Sequence, residues 1–82
     1  MRESFSIRTS FSTFEKDQLF LFSIGCMWQS GDKEPINMIS SFINKECYIN
    51  CYFRNGNMLM FYNKTCEYKL YDFRKEKLKK IL

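Results

Sequence analysis

The chain has 82 residues, 45% of them hydrophobic and 18% aromatic, and a formal net charge of +4. That length supports one domain, residues 1–82, hiding about 64% of its extended-chain surface; the apolar content excludes a disordered chain, and no apolar run approaches the roughly 20 residues of a membrane-spanning helix. Charge is unevenly placed, because five cations (Arg74, Lys75, Lys77, Lys79 and Lys80) accompany one acid, Glu76, in the basic C-terminal segment 74–82, while the other eight cations and eight acids cancel. Any attraction for nucleic acid or an acidic partner is therefore expected from that segment.

The opening Met1-Arg2-Glu3-Ser4 mixes charges and lacks the apolar core of a secretory signal, so the expected location is cytoplasmic. From there the chain alternates: Phe5, Ile7, Thr9 and Phe11 fall on one side and Ser4, Ser6, Arg8 and Ser10 on the other, the pattern of a half-buried strand. The run from Leu19 to Trp28 is apolar on both sides and reads as a central strand, joined to the first through a turn at 13–18. Ser12 and Glu15 have capping-box spacing, so a helix from Thr13 is the competing reading.

Gln29-Ser30-Gly31-Asp32 reads as a turn, and Pro35 as the first residue of a short amphipathic helix carrying Ile36, Ile39 and Ile43 and ending near Lys45. Asn55-Gly56 then sits between two β-type runs and matches a type I′ hairpin turn, whose central residues both need positive φ. With those two as the loop, Arg54 opposes Asn57, Phe53 opposes Met58, Tyr52 opposes Leu59 and Cys51 opposes Met60. One face then carries Cys47, Ile49, Cys51, Phe53, Met58, Met60 and Tyr62, and reads as core. The other carries Tyr48, Asn50, Tyr52, Arg54, Asn57, Leu59, Phe61 and Asn63. A further strand over 66–73 and a basic helix over 75–82 complete an α+β reading: a small antiparallel sheet with one or two short helices, in the order ββαβββα.

Catalysis finds little footing, because the chain has no histidine, no evident pair of carboxylates and no glycine-rich phosphate loop. The expectation is a protein that is not an enzyme and takes no cofactor. Four cysteines, Cys26, Cys47, Cys51 and Cys66, do not form the two close pairs of a structural zinc site; only Cys47 and Cys51 are near in sequence, and on a strand they stand about 13 Å apart. Buried free thiols are the expected state, with no metal. Asn63-Lys64-Thr65 fits a glycosylation acceptor, which is expected to be silent without export.

The second hairpin face is the feature that points to binding. Tyr48, Tyr52, Leu59 and Phe61 interleave with Asn50, Arg54, Asn57 and Asn63, a combination that suits an interface, although an aromatic stripe of this kind also serves to complete a core. A protein partner is the leading expectation, because the body of the chain is near neutral. An alternative uses the same rings to stack single-stranded nucleic acid, with Arg54 and the tail cations on phosphates, though no RNP-type string is present. A homodimer or structural subunit is a third reading. A short, aromatic, Asn- and Lys-rich chain of this kind also fits a small viral or mobile-element product that inhibits a host enzyme or defence complex by covering it, or an adaptor.

Overall fold

A computed structural model describes residues 3–72 and places four strands, one α-helix and one 3₁₀ turn in the order β1 (Phe5–Thr9), α1 (Phe14–Ser23), β2 (Cys26–Trp28), the turn Ser40–Phe42, β3 (Cys47–Arg54) and β4 (Asn57–Asn63). The fold is α+β. The sheet order is β1-β3-β4-β2; β1 and β4 run antiparallel to β3, whereas β2 runs parallel to β4. The sheet is therefore mixed where the sequence pointed to an antiparallel one. β1 and β2 run in the same direction at its two edges, joined through α1, and the β3–β4 hairpin fills the space between them.

The hairpin forms as its turn chemistry dictates. Asn55 and Gly56 have φ of 51° and 84°, the positive values a type I′ turn needs. The register pairs Arg54 with Asn57, Phe53 with Met58, Tyr52 with Leu59 and Cys51 with Met60, as the two-residue loop requires. Cys47, Ile49, Cys51, Met58 and Met60 are buried on the core face. Phe53, on the same face, is 41% exposed because it stands next to the hairpin tip.

Residues 19–28 are divided between helix and strand. Helix α1 starts after Thr13 and buries Phe14, Asp17, Gln18 and Leu21, at spacings of three, four and seven that put them on one face. Glu15, Lys16, Gln18, Leu19 and Leu21 are all good helix formers, and that local preference outweighs the aromatics among them. The helix stops at Gly25, whose φ of +100° lets its N–H reach back to the Phe22 carbonyl at 3.1 Å. A three-residue strand, β2, is what remains.

The helix expected from Pro35 to about Lys45 is replaced by an irregular segment with one 3₁₀ turn, Ser40–Phe42. Three β-branched isoleucines and two serines give a short helix little intrinsic support, and Ile39 and Ile43 are extended on either side of the turn. Gln18 also claims the backbone at Ile36: its fully buried amide accepts from the Ile36 N–H at 2.7 Å and donates to the Ile36 carbonyl at 2.9 Å, as a strand neighbour would. Met38, Phe42 and Ile43 then join the core beside Phe14, Trp28 and Tyr62, with the Phe14, Phe42 and Trp28 rings 5.0–6.0 Å from the Tyr62 ring.

After β4 the chain crosses the sheet on the face opposite α1. Residues 66–71 make one parallel bridge, Ser6 to Leu70, instead of a full strand. The expected helix over 75–82 and the end of the expected strand, Phe73, lie outside the described residues.

Candidate protein-binding face

The face opposite α1 is assembled in rows by the strand register. Behind the Arg54–Asn57 pair at the hairpin tip, Met27 of β2, Leu59 of β4 and Tyr52 of β3 form the first row; Phe61, Asn50 and Ser6 form the next; Asn63, Tyr48 and Arg8 form the third. These rows have different fates. Met27, Tyr52, Leu59 and Phe61 are half-buried and Arg54 and Asn57 are exposed, whereas Ser6, Asn50 and Tyr48 are buried.

Tyr52 is fixed in place. Its hydroxyl accepts a hydrogen bond from Gln29 Nε2 at 2.9 Å, reaching across β4 to the turn after β2. Its ring meets that of Phe61 edge-on, with centroids 6.0 Å apart. A large ring held at both ends loses little freedom when a partner covers it, which is the property of an anchoring residue. The two strands and the Gln29 turn thus bring together Tyr52, Leu59 and Phe61 from the expected set, with Arg54 and Asn57 at the tip as a polar rim. Met27 and Gln29 were not expected, because their membership depends on β2 pairing parallel to β4, which no local signal specifies.

Tyr48 stands apart from the exposed group at 8% exposure. Arg8 lies over its ring, 6.0 Å from guanidinium carbon to centroid, and its hydroxyl faces the Glu46 carboxylate at 3.4 Å. Next to it, fully buried Asn50 organises the chain that crosses this face. Its Oδ1 accepts from Ser6 Oγ at 2.5 Å and from the Glu67 N–H at 2.9 Å, and its Nδ2 donates to the Thr65 carbonyl at 3.2 Å. Ser6 Oγ in turn accepts from the Tyr68 N–H at 3.0 Å. The tail cations Arg74, Lys75, Lys77, Lys79 and Lys80 lie outside the described residues.

Among the described residues no group of three or more His, Cys, Asp or Glu side chains is placed to hold a metal ion, and no helix is long and apolar enough to cross a membrane. Cys26, Cys47 and Cys51 are buried free thiols and Cys66 is an exposed one. Cys26 on β2 and Cys51 on β3 are separated by β4, so two strand spacings, about 9.5 Å, lie between their backbones. That exceeds the limit of roughly 7 Å for a disulfide. The Cys26 sulfur and burial together push the Cys51 thiol up, and burial pushes Cys47 up, so both are held protonated.

A groove of about 570 Å³ runs beside the start of α1, lined by Arg8, Phe11, Ser12, Thr13, Lys45 and Glu46. Glu15 and Asp17 already occupy the first turn of α1, so its dipole is countered from within the helix. Comparison of the chain with family models, curated proteins and solved structures finds no match to any of them.

Proposed function

We propose that the chain is a non-catalytic protein-binding module, an inhibitor or adaptor that works in the cytoplasm by covering part of a partner's surface. The contact face is formed by Met27, Tyr52, Leu59 and Phe61, with Arg54 and Asn57 at its rim. The observation that carries this reading is the pre-set Tyr52 ring, pinned by Gln29 and Phe61 on an otherwise apolar, half-buried row. Stacking of nucleic-acid bases has less support, since the Tyr48 ring is buried and Tyr52 already lies against Phe61.

The test is affinity capture from lysate of the source cell, with nuclease treatment, using the wild-type chain and the Tyr52→Ala/Phe61→Ala double variant. A stoichiometric protein retained by the wild type and lost by the folded double variant is the expected result. Equal retention by both rejects this face, and recovery of nucleic acid whose loss also removes the proteins replaces the reading with the nucleic-acid alternative. Light scattering on the purified chain separates the third reading, because a dimer dispersed by the same double variant assigns the face to a second copy.

A further inference from the structure

We propose that Cys26, Cys51, Met58 and Met60 form a buried site for one soft monovalent cation, Cu(I), on the core side of the sheet. The site is independent of the binding face, which lies on the other side. Strand register sets the four residues in two adjoining rows, with Cys26 beside Met58 in one and Trp28, Met60 and Cys51 in line in the other. All four sulfur-bearing side chains are buried. The two thiols meet: the Cys51 S–H donates a hydrogen bond to the Cys26 sulfur. Because Cys26 is level with Met58 and Cys51 with Met60, that bond crosses β4 between the two methionine positions.

Thiolate and thioether sulfur are the soft donors that select Cu(I). Zinc draws its four ligands from Cys, His, Asp and Glu, and only two of these four side chains qualify. The spacing also favours a bridging ion over a bond between the thiols. A disulfide holds its sulfurs at about 2.05 Å, too short for residues two strand spacings apart, whereas two metal–sulfur bonds of about 2.3 Å each span roughly 4.6 Å. The hydrogen bond from Cys51 draws Cys26 below the ordinary thiol value despite burial, so Cys26 is the thiol that gives up its proton. The proton leaves to solvent and the ion takes its place, with no change of oxidation state. Cys51 and the methionines contribute neutral sulfur, so the loaded cluster carries no net charge, as a dry site requires. Phe53 shares the row of Cys26 and Met58 and is 41% exposed, which opens that row to solvent near the hairpin tip.

The test supplies Cu(I) anaerobically as its bicinchoninate complex to the full chain carrying Cys66→Ser, which removes the exposed thiol. One ion per chain is expected to pass from the chelator to the protein with the circular dichroism of the fold retained. Trp28, the single tryptophan and a lateral neighbour of Met60, is expected to lose fluorescence until one equivalent is bound. Cys26→Ala and Cys51→Ala are each expected to weaken binding more than about 100-fold, beyond the 10–100-fold typical of residues that only orient a ligand. Should either thiol variant fail to fold, the volume-conserving Met58→Leu/Met60→Leu variant serves instead, with a loss of about tenfold or more expected. Loss of binding on Cys66→Ser alone identifies an adventitious ion only and overturns the proposal. So does full affinity in a folded thiol variant or in the double methionine variant, an ion bound without any change at Trp28, or binding that occurs only as the fold is lost.

Discussion

The β3–β4 hairpin and the stretch from Ser10 to Trp28 are both rich in apolar and aromatic residues, yet they differ in how their structure is encoded. In the hairpin, two residues with positive φ fix the loop, the loop sets the register, and the register assigns every side chain to a face. Nothing comparable organises the other stretch. Its apolar run suits a helix or a strand, and the outcome depends on where α1 starts and on Gly25, which ends it and releases the chain into β2. Local chemistry fixes face and register in the first region; in the second it sets only the helix and its end, and pairing with β4 places β2.

That contrast predicts where damage is greatest. Ile49 is fully buried at the centre of the sheet, between β1 and β4, so Ile49→Ala is expected to cost about 2–5 kcal/mol and to unfold a chain this small under mild denaturant. Urea unfolding followed by circular dichroism measures it. A loss under about 1 kcal/mol places the core elsewhere.

Gln18→Ala probes the other region, where one buried amide holds the backbone at Ile36 from both sides. The Ile36 N–H loses its partner, and a loss of about 1–3 kcal/mol is expected, with amide exchange raised across residues 33–39. Gln18→Glu keeps the acceptor for the N–H and turns the donor into a second acceptor facing the Ile36 carbonyl, so it fails to restore stability. Full stability in either variant shows that the segment is held by its isoleucines alone.

Gly25→Ala is a smaller perturbation. No atom lies within 4 Å of the position its Cβ would take, so the cost is that of φ near +100° for an L-residue, about 1–2 kcal/mol. Thermal melts are expected to show this loss with native cooperativity preserved. A variant as stable as the parent indicates that the helix end re-forms around a different φ.

The same contrast explains how much of the site was legible. Tyr52, Leu59 and Phe61 share a face because of the hairpin register alone, and that part was readable from Asn55-Gly56. Met27 and Gln29 depend on β2 lying parallel to β4, a long-range pairing whose partner strands are separated by the whole loop and β3. Tyr48 shares the hairpin face but is buried, with Arg8 over its ring, and Asn50 and Ser6 on the same face hold the backbone of residues 65–68. Buried polar side chains of this type look like ordinary surface residues in an alternating pattern, and only the folded chain shows what they hold.

The thiols separate the two sides of the hairpin at the smallest scale. Below pH 9.0, the ordinary thiol value, Cys47 is protonated in folded and unfolded chains alike and contributes no pH dependence. As pH rises above 9.0 the unfolded chain ionises Cys47 while burial keeps the folded Cys47 protonated, so unfolding releases a proton. The Cys47 contribution to stability is therefore complete below 9.0 and declines with pH up to its raised folded value, by at most about 1.4 kcal/mol per pH unit. Cys47→Ala, compared with the parent in urea titrations at pH 8 and about pH 10, is expected to reduce that decline by the share Cys47 contributes. Exposed Cys66, beyond β4, is expected to react with a thiol reagent in the folded protein, and Cys47 only after unfolding. If Cys47 reacts as fast as Cys66, the core face of the hairpin is open to solvent, and the difference between its two faces disappears.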